Sequence, residues 1–494
     1  MRARKLLPLF LATLSLTILA GCGAPNSNAG SPHGNFTNSN LSGAYAFAFS
    51  GSNVVTGVFF TMAGSLQANG SGTITGGTID INSPGSAVPI LTNASVTGTY
   101  IVHPDGRGFA TLMAAGAPNN VNIDFVLFSN QHAAVVRFDN FATASGSLDM
   151  QTSSAFNLAA LAGNFVFNIS GTDSARAPEA SAGFFTVNSS GAVTAGVQDT
   201  SDNGAISNGG GTGDTLTAGA LNPPSNANGR GTMSLTSTAL GTRNFAFYIV
   251  SANQIRLIEI DSAPVLAGDA FRQGSTSISG SFAFTNSGAN AGVPFAEGGI
   301  LSTDGAGNIV NGSVEDVNNG GTISTNQALT GTYVVAATGR GTLNLNSGGI
   351  NFAIYPSTAG IQVLEIDNNT VVSGTAFQQS GSFSNSTING RYGANITGVA
   401  APSTEFDAVY QLTANGNGAL TGAQDINLGG TLSANLAFNG VATLSSNGRA
   451  SAVGKLNTAA GNLSVIYYAV NSSRILFIEV DNNAVAVGSF SQQQ

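Results

Sequence analysis

The sequence predicts an all-β protein: four tandem antiparallel units of about eight strands each, barrel-like, with strands connected up and down. Three observations carry this expectation: a four-fold internal repeat, alternation of large and small residues, and glycine-rich turn signals at short spacing. The repeat is clearest at Leu257-Ile258-Glu259-Ile260-Asp261, Val363-Leu364-Glu365-Ile366-Asp367 and Phe477-Ile478-Glu479-Val480-Asp481, with a divergent copy at Val135-Val136-Arg137-Phe138-Asp139. Each copy is followed by a glycine and, five residues later, a glutamine: Gly146/Gln151, Gly268/Gln273, Gly374/Gln379 and Gly488/Gln493. Self-similarity at a fixed long period marks a repeated structural unit.

Each unit opens on a glycine and alternating aromatics, as in Gly43-Ala44-Tyr45-Ala46-Phe47, Gly163-Asn164-Phe165-Val166-Phe167, Gly280-Ser281-Phe282-Ala283-Phe284 and Gly390-Arg391-Tyr392. Alternation places one face of a strand in a core. A turn follows in each unit: Asn69-Gly70-Ser71-Gly72, Asn188-Ser189-Ser190-Gly191, Asp304-Gly305-Ala306-Gly307 or Asn415-Gly416-Asn417-Gly418. Such sequences supply the positive φ of tight hairpins. They are not phosphate loops, because a dinucleotide site requires a following helix and Thr73-Ile74-Thr75 reads as strand. The next strand ends at Asp80, Asp199, Asp316 or Asp425. A Gly-Arg pair then recurs about every 110–120 residues, at Arg107, Arg230, Arg340 and Arg449. The Glu-x-Asp strand and a closing strand ending in glutamine complete the unit.

Short connections favour an up-and-down barrel over a Greek key, which needs a long return. β-Sandwich units and a single propeller with two blades per unit are the alternatives. In layout the units resemble avidin-like and lipocalin-like barrels. The chain has no tryptophan, the residue that lines the avidin ligand site, so that resemblance does not extend to biotin binding. The units span 41–152, 157–274, 277–380 and 386–494.

Residues 1–21 read as an export signal, with a basic Met1-Arg2-Ala3-Arg4-Lys5 start and an apolar run from Leu6 to Ala20. That run is too short to span a bilayer comfortably. Leu19-Ala20-Gly21-Cys22 resembles the lipobox of bacterial lipoproteins, which implies cleavage before Cys22 and its acylation. Cys22 is the sole cysteine, so no internal disulfide can form. Gly23 after it resembles outer-membrane sorting. The expected location is the cell envelope, lipid-anchored at the outer membrane. Residues 22–40, rich in Asn, Ser, Gly and Pro, read as a flexible tether.

The mature chain keeps 12 of the 15 basic residues against 24 acidic ones, a net charge near −12. Such a surface disfavours nucleic acid as a partner. Only 8% of residues are charged, yet the charge is placed in register with the repeat.

The Glu-x-Asp pairs could hold Ca²⁺ or serve as a glycosidase acid and base, since residues two apart share a strand face. Arg137 in the first unit breaks that pattern, and Asp367 and Asp481 precede Asn-Asn as turn caps do. The expected role is a structural clasp inside each unit. It would join Arg107, Arg230, Arg340 and Arg449 with Asp80, Asp199, Asp316 and Asp425, with Glu259, Glu365 and Glu479, and with Asp139, Asp261, Asp367 and Asp481. Arg340 would pair with Asp367, Glu365 or Asp316, and its replacement by methionine would loosen the third unit alone. No catalytic residue, metal site or cofactor is predicted: Asp80-Ile81-Asn82 and its relatives lack a calcium-loop pattern, His103 and His132 lack ligand spacing, and no nucleophile elbow occurs.

The expected function is a non-catalytic binding or structural role in the envelope, with the membrane reached through the lipid and glycans or envelope proteins as partners. A glycan hydrolase using one carboxylate pair, and carriage of a small ligand inside the barrels, are the alternatives.

Overall fold

The computed structural model describes residues 34–84, 90–346, 349–401, 403–458 and 461–494. The expected signal segment, Cys22 and most of the tether lie outside the described residues. The protein folds as four antiparallel eight-stranded barrels in tandem. In the first, β1 (Ser42–Asn53), β2 (Phe59–Asn69), β3 (Thr73–Asn82), β4 (Leu91–Val102), β5 (Arg107–Ala114), β6 (Val121–Leu127), β7 (His132–Arg137) and β8 (Ala142–Met150) pair in sequence order. β8 returns to β1, with Gly146 opposite Phe49.

The repeat residues explain this geometry. Asn69, Asn188, Asp304 and Asn415 each accept two backbone N–H bonds from the turn that follows, and so fix the hairpin between second and third strands. The recurring glycine of the closing strand is required by close approach: a Cβ on Gly146, Gly268, Gly374 or Gly488 would collide with the carbonyl of the first strand of its barrel.

Barrel interiors are filled by the alternating aromatics. Tyr45, Phe47, Phe60 and Phe125 pack the first, Phe165, Phe167, Phe185 and Phe247 the second, and Tyr392, Tyr467, Phe477 and Phe490 the fourth. The third barrel is looser. Its third strand is split into Asn308–Ile309 and Val314–Asn319, and its fourth into Thr322–Ala328 and Gly331–Val335. It encloses a cavity of about 40 Å³ bordered by Phe284, Asn286, Glu297 and Glu315, enough for water and too small for a metabolite.

Apolar packing also joins one barrel to the next. Ala46 and Ala63 of the first meet Tyr248 and Ile258 of the second, and Val166 and Phe184 of the second meet Tyr355 and Leu364 of the third. Ala283 and Ile300 of the third pack with Tyr468 and Ile478 of the fourth. Val409 of the fourth packs on Val126 and Phe128 of the first. The four barrels therefore close into a ring. Among the described residues no helix is long and apolar enough to cross a membrane.

Residues 36–40, where composition predicts flexible tether, pack on the first barrel. Phe36 is buried, and Asn38 accepts a hydrogen bond from the Val102 N–H. A lone aromatic among polar residues was the signal for this docking.

Candidate functional site

The arginine–aspartate pairs do form, but between barrels rather than within them. Arg230 forks Asp80 of the preceding barrel, Nε to Oδ2 at 2.7 Å and Nη2 to Oδ1 at 2.8 Å. Arg340 forks Asp199 at 2.8 and 2.8 Å, and Arg449 forks Asp316 at 2.8 and 2.5 Å. Asp80, Asp199 and Asp316 are fully buried, and each also accepts a phenol proton from the next barrel: Tyr248, Tyr355 and Tyr468 respectively. The expectation that Arg340 pairs with Asp367, Glu365 or Asp316 inside its own neighbourhood is corrected accordingly. The Gly-Arg turn and the aspartate lie at matching ends of adjacent barrels, and desolvation leaves each no other partner of opposite charge.

The fourth pair closes the ring without a peptide link. Arg107 of the first barrel reaches Asp425 of the fourth at 3.3 Å through Nη1 and donates to Asn435 at 2.8 Å. Its Nε is held by Asp105 at 2.9 Å. Val126 stands opposite Arg107 where the other barrels have the tyrosine opposite their arginine, so Asp425 lacks the phenol bond. Burial raises the Asp425 carboxyl above its ordinary range, the Arg107 charge opposing it.

Two further repeat residues serve the same junctions. The side-chain amide of Asn82 donates to the carbonyls of Glu259 and Asp261 at 2.9 Å each. Asn318 does so to Asp481 and Ala484, and Asn427 to Arg137 and Ala142. Ser201 takes this place in the second barrel, donating to the Thr370 carbonyl. The closing glutamines likewise cross forward: Gln151 donates to Asn228 and Ile249, Gln273 to Thr338, Gln379 to Asn447 and Ala469. Gln493, almost at the C-terminus, donates to Asp105 and Leu127 of the first barrel at 2.8 and 2.9 Å. Replacing Gln493 with alanine orphans two half-buried carbonyls at the one junction without a covalent link. It is expected to lower stability by about 1–3 kcal/mol, read as a shift of the urea midpoint, whereas an unchanged midpoint would mean that the C-terminal contact is ornamental.

The Glu-x-Asp pairs do not join the arginines. Asp139, Asp261, Asp367 and Asp481 sit past the strand end and accept backbone N–H bonds from Phe141, Asn244, Asn351 and Ser464. Glu259, Glu365 and Glu479 are buried. Burial, reinforced by the adjacent aspartate, pushes them up to about 9, 7 and 10. Glu259 and Glu479 are thus largely neutral at pH 7, and Glu365 is part-ionised there. Among the described residues no group of three His, Cys, Asp or Glu side chains could hold a metal ion.

What the ring leaves open is a cavity of about 430 Å³ where the first, third and fourth barrels meet. It is lined by hydroxyls of Ser145, Ser147, Thr285, Ser373, Thr397 and Ser489. Ser145, Ser147, Ser373 and Ser489 flank the obligatory glycines of the closing strands, and Thr285 and Thr397 stand on the neighbouring first strands. At the second barrel's corner the equivalent position is Asp269, tied up by Arg256, which also bonds Ser147 and Asp149. His132 reaches the other Asp149 oxygen at 2.5 Å. The cavity's other ionisable lining residue is Arg474, whose guanidinium stacks over Phe377 at 4.6 Å from the ring centre.

The sequence reading singled out His132 and the repeat glycines Gly146, Gly374 and Gly488 on this wall, but none of its hydroxyl residues and not Arg474. The only signal for the hydroxyls was the run of small hydroxyl residues around each repeat glycine. Comparison with protein-family models and with curated proteins gives no match.

Proposed function

We propose that this chain is an exported, lipid-anchored protein of the cell envelope, held at the outer membrane through Cys22, whose ring of barrels binds glycans without catalysis. The observation that carries the reading is where the polar groups go. The repeated arginines, aspartates, asparagines and glutamines are taken up by barrel-to-barrel contacts, and the hydroxyl-rich surface left over faces one central cavity. Sites of about 300–1,000 Å³ with a few convergent polar groups suit small ligands, and hydroxyl and amide side chains suit partners that are themselves polyols. The packed barrel interiors leave carriage inside a barrel without room. The mainly apolar void of the third barrel, with Glu297 and Glu315 in its wall, admits water but no sugar ring.

Anchoring is tested by replacing Cys22 with serine. Wild type is expected to partition into detergent and pellet with outer membranes, and the variant to stay aqueous and periplasmic. A wild-type chain found wholly in the aqueous phase would sink the anchor. Binding is tested by screening the lipid-free Cys22→Ser protein against immobilised glycans, where retention of none would remove the binding reading.

A further inference from the structure

The central cavity carries one asymmetry that the repeat does not explain. The chain has twice as many acidic as basic residues after its signal, yet among the described residues no carboxylate lines this cavity, whereas Arg474 and His132 do. The nearby acids are spent elsewhere: Asp149 on Arg256 and His132, and Asp269 on Arg256. The Arg474 guanidinium, by contrast, has no carboxylate partner among the described residues. Its contact is the face of Phe377. Burial alone lowers its affinity for the proton, with no neighbouring charge contributing.

Stacking on an aromatic face fixes the guanidinium plane and leaves its N–H edge free. A planar fork with no protein acceptor among the described residues, at the wall of a cavity that mixes hydroxyl and apolar side chains, matches a carboxylate presented from inside it. The hydroxyls of Thr285, Ser373 and Ser489 lie on the same walls and can exchange hydrogen bonds with a polyol.

We propose that the cavity is a binding site for an acidic sugar, a hexuronate residue whose carboxylate is gripped by Arg474 and whose ring hydroxyls meet the serine and threonine lining. This inference rests on the glycan-binding reading above and narrows it to one charge class. Its distinguishing feature is that a single cation on one barrel sets the preference, although four barrels form the ring.

The test titrates the intact lipid-free protein with sodium glucuronate and, separately, with glucose, by calorimetry or ligand-observed NMR. Glucuronate is expected to bind at least tenfold more tightly than glucose. Arg474→Met should remove that preference while leaving the thermal midpoint unchanged, and Arg474→Lys should restore only part of it, because a point charge replaces the fork. Glucose binding as well as glucuronate, or an Arg474→Met protein that still prefers glucuronate, overturns the acidic assignment and leaves the glycan reading standing. If neither sugar binds and the glycan screen is also blank, both fall. If neither binds but longer neutral glycans do, the acidic-sugar site alone is overturned.

Discussion

Replacing Arg340 with methionine is expected to destabilise the second and third barrels together, by about 3–5 kcal/mol, the cost of orphaning a buried charge. Asp199 is fully buried and accepts both Arg340 bonds and the Tyr355 phenol. Without the guanidinium it keeps a single donor in a site that water does not reach. The effect should be visible by hydrogen exchange as faster opening on both sides of the junction, in strands Val193–Asp202 and Ile350–Ser357. Adding Asp199→Leu and Tyr355→Phe to Arg340→Met should recover most of the loss, since an apolar set then leaves neither the carboxylate nor the buried phenol of that junction unpaired. Exchange that rises in the third barrel alone would place the clasp inside the unit after all.

The same substitution at Arg107 has a different expected character. The first three junctions are joined by chain, so a weakened contact is still held at high effective concentration. The fourth is held by Arg107–Asp425, Asn427, Gln493 and a small apolar patch around Val409 and Phe128. Its arginine bonds are longer than the others, and its tyrosine is missing. The ring therefore has one built-in seam, between last barrel and first.

Much of the barrel architecture was legible because the information is local. Gly-rich turns, aromatic alternation and the eight-strand period each report on a residue and its near neighbours. The partners of Arg340 were not legible in this way. Within one unit Arg340 and Asp316 are close in sequence, and nothing local says that the fork reaches back to Asp199. One signal did point outward. Phe245-Ala246-Phe247-Tyr248-Ile249-Val250 is apolar at every position rather than at alternate ones, the mark of a strand buried on both faces. In an isolated barrel the outer face would be wet. Here it packs on the neighbouring barrel, and Tyr248 of that run is the phenol that crosses to Asp80. The arginine in place of glutamate at Arg137 likewise has a local account. Its Nε bonds Asp139 at 2.9 Å, so the first barrel fills with an internal ion pair the space where its sisters bury a glutamate.

Raising the pH from 5 to 9 is expected to destabilise the protein and to open the ring at its seam. That junction is loaded with buried acids. Burial pushes Asp407 up to about 7 and raises Glu405, with the two carboxyls near Ser52 and Ser145 of the first barrel. Asp124 is raised by burial and then by the Asp425 charge, and Asp425 by burial against the opposing Arg107 charge. A carboxyl whose folded pKa exceeds its unfolded value binds more protons in the folded state. Its stabilising contribution is complete below the unfolded value near 4 and is lost as pH climbs through the folded one. For Asp407 the loss runs from about pH 4 to about pH 7, and the part above pH 5 is worth on the order of 3 kcal/mol if the group acts alone. The third barrel adds the same sign, because burial pushes Glu297 up to about 8 and Glu315 to about 7 beside its small void. Asp149 and Asp481, both held below the usual range, act oppositely, but their stabilisation is already in place by pH 5. Thermal midpoints should therefore fall from pH 5 to pH 9. Scattering should show the radius of gyration growing before the barrels themselves melt. Asp407→Asn should flatten the seam-opening part of that dependence, and Glu297→Gln with Glu315→Gln the part owed to the third barrel. A midpoint that climbs with pH would mean these carboxyls are ionised and paired in the folded ring, and the seam would then need another explanation.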